Sequence, residues 1–204
     1  MKSMNSSSLL QKHKVMKKYI IQSLRLTAVL LVLLCVIYPL VVAFAGSFSK
    51  GKGGGEKIMK DGQVVGYALL GQSFTKPQYF WGRPSAVGYN AAGSGGSNKA
   101  ASNGDYLKEV NGRIDSLLKY HPYLKRSDIP ADMVTASGSG LDPDISVEGA
   151  AIQIKRVAAN RKIDEKIVAD LVKRTIQGPF MGLFGPSTVN VLELNVALDK
   201  LTAK

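Results

Sequence analysis

The sequence predicts an α+β protein in which one N-terminal transmembrane helix is followed by a single extracytoplasmic mixed α/β domain. Three observations predict it. Residues 26–45, LTAVLLVLLCVIYPLVVAFA, carry no charge and almost no polar group. Lys57-Ile58-Met59-Lys60 and residues 63–70 read as two strand-like runs about an Asp61-Gly62 turn. Further along, apolar side chains recur at steps of three and four in several stretches, the period of a helix with one buried face.

The apolar run comes first. At roughly 1.5 Å of rise per residue it makes a helix about 30 Å long, the hydrocarbon thickness of a bilayer. A helix is required because lipid offers the backbone no hydrogen-bond partners and one segment cannot close a barrel. Pro39 removes one backbone donor and is expected to kink the second half. Cys35 and Tyr38 read as lipid-facing or helix-packing side chains. Ala43-Phe44-Ala45 behind a basic head also fits a cleaved signal peptide, but the run exceeds the roughly 7–15-residue core of such signals. A retained anchor is the expectation. The alternative is an exported soluble binding module or hydrolase released by cleavage after Ala45.

Charge gives the orientation. Lys2, Lys12, Lys14, Lys17, Lys18 and Arg25 precede the span, and the first acid is Glu56, which favours a cytoplasmic N-terminus. Lys50, Lys52, Lys57 and Lys60 weaken the asymmetry without cancelling it. The expected organisation is a cytoplasmic basic tail over 1–25, a transmembrane helix over 26–46, a linker over 47–56 and an extracytoplasmic α+β domain over 57–204.

Composition narrows the function classes. The net charge is +12, yet beyond the span the remaining 21 basic residues stand among all 15 acids. The outer domain is therefore only mildly basic, and without a finger, RNP or helix-turn-helix signature no nucleic-acid partner is expected. The basic head suits anionic lipid headgroups. The single cysteine, Cys35, lies in the span, so the outer domain must cohere through an apolar core instead of disulfides. His13 and His121 lack companions at ligand spacing, and no metal site is expected.

Taken in order, residues 1–11 are Ser-rich and read as disordered, and 11–25 as a basic, partly helical lead-in. Residues 46–55 are a Gly/Lys/Ser linker. Within it Gly46, Gly51 and Lys52 fit most of a phosphate loop, but Gly53 replaces the hydroxyl residue and a membrane helix stands where a strand is needed. Residues 71–89 are irregular and contain Tyr79-Phe80-Trp81-Gly82-Arg83. These aromatics suit a partner surface, since Trp, Tyr and Arg dominate binding hot spots, or they cap the domain's own core. The Gly/Ser/Asn loop over 90–104 includes Ser94, Ser97 and Asn98.

A helix is expected from about 103–105 with Leu107, Val110, Ile114 and Leu117 on one face, stopped by Pro122. Asp132-Met133-Val134-Thr135 is a short strand candidate leading into a turn that carries Ser137, Ser139, Asp142 and Asp144. With no histidine nearby to activate either serine, a hydrolytic site lacks its base. Asp142, Asp144 and Glu148 do not follow the calcium-loop spacing. Ser146 caps a helix over about 147–160 with Ala151, Ile154, Val157 and Ala158 inward, and Arg156 and Arg161 lie near its cation-favouring end. Asp164 caps another with Ile167, Val168, Leu171 and Val172 inward, broken by Gly178-Pro179. A last helix carries Val191, Leu194, Leu198 and Leu201, and Val189-Asn190-Val191 could open it as a strand.

Six co-linear blocks go further than this. They are residues 80–86 (FWGRPSA), Tyr89-Asn90, residues 94–98 (SGGSN), residues 134–143 (VTASGSGLDP), Arg156-Val157-Ala158 and residues 189–195 (VNVLELN). Behind one N-terminal span, together they resemble the C subunit of the bacterial Kdp potassium-transporting P-type ATPase. The sequence departs from that pattern at Lys99-Ala100-Ala101, where the family often has Gly-Pro, and at Asp144, where histidine is expected.

The resemblance implies a non-catalytic accessory subunit of an inner-membrane complex that hydrolyses ATP to import potassium. Its implied partners are a channel-like potassium-translocating subunit, the P-type catalytic subunit and the lipid bilayer. The family description adds a chaperone role that raises the ATP affinity of the catalytic subunit. No cofactor of its own is implied; ATP and potassium are handled by the complex. Because ATP is cytoplasmic and the outer domain is not, such coupling would have to pass through packed helices. The partner-interface candidates are Tyr79, Phe80, Trp81, Arg83, Ser94, Ser97, Asn98, Ser137, Ser139 and Asp142. Arg83 or Arg156 is expected to pair with Asp142 and brace the loops.

Overall fold

A computed structural model describes residues 6–202, with side chains from residue 15 onward. The chain divides into two compact units, one running to Gly54 and the other starting at Gly55.

In the first unit, α1 (Ser6–Val32) and α2 (Tyr38–Gly46) are joined by a π-helical turn, Leu33–Ile37. Residues 1–5 of the expected disordered tail lie outside the described residues; residues 6–11 are helical, a correction. The reason is cooperative: the apolar run supplies the nucleus, and Leu9, Leu10, Gln11, Lys12 and Lys14 are good helix formers that add to it. Pro39 has its structural counterpart in the π turn. Its ring would strike the carbonyl four residues back, that of Cys35. Widening the turn, with the Tyr38 N–H donating to the Leu33 carbonyl five residues back, takes up that misfit. Val15–Gly46 is long and apolar enough to cross a membrane, and none of its most apolar stretch is buried within the chain. Residues 47–54 follow as a series of tight turns, with the Ser47 and Ser49 hydroxyls bonding back to the Phe44 and Gly46 carbonyls.

The second unit opens with β1 (Lys57–Lys60) and β2 (Gln63–Tyr67), antiparallel about Asp61-Gly62. Both turn residues have positive φ, 51° and 78°, which is the type I′ geometry that matches strand twist. The second strand ends at Tyr67 rather than reaching 70: the Ala68 N–H still bonds the Glu56 carbonyl, but the Ala68 carbonyl accepts from Asn190 Nδ2 and the Leu70 N–H turns back to the Tyr67 carbonyl. A bulge lies opposite Ile58 and Met59. Beside it, Gly66 lets Gln72 and Leu192 approach to within 2.0 and 2.7 Å of where a Cβ would stand.

A long ordered segment then leads to α3 (Gly104–Tyr120), capped by the Asn103 side chain, which accepts from the Asp105 and Tyr106 N–H groups. Ile114 and Leu117 are buried on its inner face, whereas Leu107 is exposed. The strand expected at 132–135 is not there. Pro130, at φ −65°, starts a 3-10 turn over Ala131–Met133, and the Asp132 carboxylate accepts from the Ser146 N–H and Oγ.

The remaining elements are β3 (Asp144–Ser146), α4 (Val147–Ala151), α5 (Ile154–Arg161), α6 (Glu165–Thr175), β4 (Ile176–Gln177), β5 (Thr188–Asn190) and α7 (Val191–Thr202). The single helix expected over 147–160 is split at Ile152-Gln153. Ser146 and Asp164 are the caps they were expected to be, accepting from the Gly149 and Lys166 N–H groups. The second sheet is antiparallel with order β3-β5-β4. Strand β5 passes directly into α7, so Val189-Asn190 and the helical run that follows both find their places. One core gathers Phe80, Ile114, Met133, Ile145, Val157, Val168, Val189, Leu194 and Leu198. Ala151, Ile167 and Leu201 fall outside it: the first and second face solvent, and Leu201 is exposed near the end of α7.

Candidate partner interface

Ten sequence candidates fall into two structural groups. The first is the aromatic segment, which runs through the middle of the second unit as an extended chain without a neighbouring strand. Two amide side chains take the strand's place. Asn195 accepts from the Phe80 N–H at 2.9 Å and donates to the Phe80 carbonyl at 3.0 Å. Gln153 accepts from the Trp81 N–H at 2.8 Å and donates to the Trp81 carbonyl at 3.2 Å. Buried backbone polar groups must be paired, and here α7 and the junction between α4 and α5 supply the partners.

The side chains follow from that placement. Phe80 is fully buried in the core. Trp81 is half-buried: its indole N–H donates to the Lys76 carbonyl, its ring meets Tyr120 edge-on at 5.1 Å, and the Arg156 guanidinium stacks 4.0 Å above it. Tyr79 is half-buried, with its hydroxyl on Asp199 and the Arg161 guanidinium over its ring. The segment thus spends most of its aromatic surface inside its own domain.

Arg156 pins this arrangement from beneath. Its Nε donates to His121 Nε2 at 2.9 Å, its Nη2 to Gln153 Oε1 at 2.6 Å, and its Nη1 to the carbonyls of Tyr79 and Pro77. His121 Nδ1 lies 2.7 Å from the Leu117 carbonyl, so Nδ1 carries the proton and Nε2 is the acceptor. Burial lowers the Arg156 pKa to about 10 and, with Arg156 close by, holds that of His121 below its usual 6.5.

The second group is brought together by the fold. Gly95 N–H and the Ser94 hydroxyl both donate to the Ser139 carbonyl at 2.9 Å, joining the Gly/Ser loop at 93–98 to the turn at 137–140. Gly96 comes so close that a Cβ there would stand 3.0 Å from the Gly138 carbonyl oxygen. At Gly140, with φ +68°, a Cβ would strike Val87 and the Gly95 carbonyl. The Ser85 hydroxyl donates to the Gly140 carbonyl and accepts from the Val87 and Tyr89 N–H groups. The hydroxyls of Ser137 and Ser139 accept from the Gly140 and Leu141 N–H groups; each holds its turn closed. Ser94, Asn98 and Ser139 are exposed and Ser97 is half-buried.

One ion pair braces the ensemble. Arg83 Nη1 donates to Asp142 Oδ2 at 2.9 Å, and Asp142 Oδ1 accepts from the Asp144 N–H. Of the two arginines considered for Asp142, it is Arg83 that pairs with it. Asp144 is half-buried beside it with its Oδ1 enclosed and without a hydrogen-bond partner among the described residues, and burial together with Asp142 raises its pKa.

The residues that sequence reasoning overlooked are Gln153, Asn195 and His121. Each is a buried polar group on an otherwise apolar helix face or helix end. The legible signal was a polar residue at a core-facing position, which a folded chain tolerates only when its hydrogen bonds are met.

Comparison with known proteins agrees along most of the chain. The family model described as "KdpC: K+-transporting ATPase, c chain" matches residues 20–200. Proteins called potassium-transporting ATPase KdpC subunit are 60% identical in Flavobacterium psychrophilum over 90% of this chain and 99% of theirs, and 51% identical in Phocaeicola vulgatus over 90% and 98%. A third, from Caldanaerobacter subterraneus subsp. tengcongensis, is 47% identical over 87% and 92%.

Proposed function

Since the chain belongs to the KdpC family, and so is a non-catalytic accessory subunit of a potassium-transporting ATPase, we propose that it holds the complex together and raises the ATP affinity of the catalytic P-type subunit. In this reading the apolar helix anchors it in the cell membrane with the basic N-terminus in the cytoplasm, and the second unit lies outside against the channel-like potassium-translocating subunit. The chain brings no cofactor; ATP and potassium are handled by its partners, and nucleic acid is not among them.

The observation that carries the reading is the helix Val15–Gly46, whose most apolar stretch has no buried part in the chain itself. Such a surface is stable only against lipid or other membrane helices. A coupling from the outer unit to a cytoplasmic nucleotide site must then run through that helix and its neighbours, as a coupling free energy between distant sites. The exposed Gly/Ser loops with the Arg83–Asp142 brace supply the outer contact, with Trp81 at the edge of the same segment.

Deleting the chain tests this. The remaining subunits, isolated from membranes of potassium-starved cells, are expected to co-purify poorly and to need a several-fold higher ATP concentration for half-maximal potassium-dependent hydrolysis. Unchanged assembly with an unchanged ATP dependence would refute the reading. Protease added to sealed cells is expected to digest the second unit and spare the N-terminal tail.

A further inference from the structure

The connection between β4 and β5 presents Phe180, Met181, Leu183 and Phe184 to solvent at 73, 76, 81 and 64% exposure. The backbone beneath them is nevertheless fixed. Phe180 and Phe184 exchange N–H to carbonyl bonds at 2.8 and 3.0 Å, Gly182 N–H donates to the Pro179 carbonyl, and Met181 and Gly182 take the positive φ values that close the loop. A loop that orders its backbone with its own bonds while four large apolar side chains remain outside is a preformed contact surface.

Its surroundings identify the occupant. No charged residue occurs from 178 to 192, so the loop has no Lys or Arg to draw it to anionic lipid headgroups. Residues 186–188, at its foot, form one wall of a cavity of about 690 Å³. The other walls carry Asp128, Asp132, Asp142, Asp144 and Glu148 against a single cation, Arg83. A negative cavity beside the loop repels anionic headgroups.

We infer that the Phe180–Phe184 loop and the adjoining acidic cavity form one docking surface for another subunit of the ATPase, which offers an apolar socket for the loop and a Lys or Arg side chain for the cavity. The apolar tip supplies the desolvated centre of the contact and the carboxylates its orientation. This rests on the reading that the chain works as an assembly subunit.

The test is co-isolation of the partner subunits on the tagged, full-length chain from membranes of potassium-starved cells. Leu183→Ser with Phe184→Ser is expected to cut the partner-to-bait ratio at least tenfold with the thermal midpoint of the purified chain unchanged, because both side chains are exposed. Glu148→Lys, an exposed charge reversal, is expected to lower the ratio and to remove its dependence on salt. Wild-type ratios in the loop variant would overturn the inference. So would quenching of a Leu183→Trp probe by brominated phosphatidylcholine in the intact complex, which assigns the loop to lipid, or loop-dependent dimerisation of the purified chain, which assigns it to a second copy. If the wild-type chain captures no subunit, the assembly reading itself fails; if wild type and loop variant capture equally, only the docking surface does.

Discussion

Arg156 is a charged side chain placed almost wholly inside the domain, and its partners among the described residues are carbonyls, an amide, an imidazole and an indole face. An unpaired charge there is tolerated because each of its three nitrogens donates to an acceptor and the Trp81 ring covers its face. His121 completes the set only while neutral, since a proton on Nε2 would set two N–H donors against each other. Its pKa is lowered in the fold by burial first, then by Arg156. The unfolded chain therefore takes up the proton more readily, so the His121 contribution is complete above pH 6.5 and is lost as pH falls below it. Thermal unfolding of the full chain in detergent from pH 7.5 to 5.5 is expected to show this loss, and His121→Gln to flatten it. An equal slope in both proteins would show that other groups are responsible.

Among elements, glycine separates helix from turn. Gly112 lies within α3 with nothing within 4 Å of a Cβ, so its flexibility only costs the helix, whereas at Gly140 the φ of +68° and the close Val87 and Gly95 leave no room. Gly112→Ala is expected to stabilise by about 0.5–1 kcal/mol. Gly140→Ala is expected to destabilise by about 1–3 kcal/mol and to separate the two Gly/Ser loops. Urea midpoints of the two variants check both signs. The capping residues Ser146 and Asp164 and the Asp61-Gly62 turn were legible in the sequence because each acts within four residues of itself. The strand expected at 132–135 failed for the opposite reason: Asp132 is committed to Ser146, fourteen residues away, and a local reading has no access to that partner.

At the scale of the second unit, Asp199 joins parts of the chain that the sequence keeps far apart. Its carboxylate accepts from Lys60 on the hairpin and Arg161 on α5, each at 2.6 Å, and from the Tyr79 hydroxyl. Burial alone would raise its pKa, but the bonds from Lys60 and Arg161 bring it below 3.8. Its contribution is therefore complete above that value and lost as pH falls through the folded pKa. Asp199→Asn is expected to lower the thermal midpoint at pH 7 by a few degrees and to reduce the further loss as pH falls below 3.8; a midpoint equal to wild type would remove Asp199 from this role. By itself the sequence determined the apolar helix, the hairpin, the helix caps and, through its co-linear blocks, the family, because continuous apolarity, turn chemistry and capping are local properties. Only the tertiary structure decided that the aromatic segment turns inward on Gln153 and Asn195, that Arg83 rather than Arg156 meets Asp142, and that Phe180, Met181, Leu183 and Phe184 stay exposed. Those outcomes depend on which distant groups compete for the same buried space, and pairing across 72 to 115 residues leaves no trace in the spacing of neighbours.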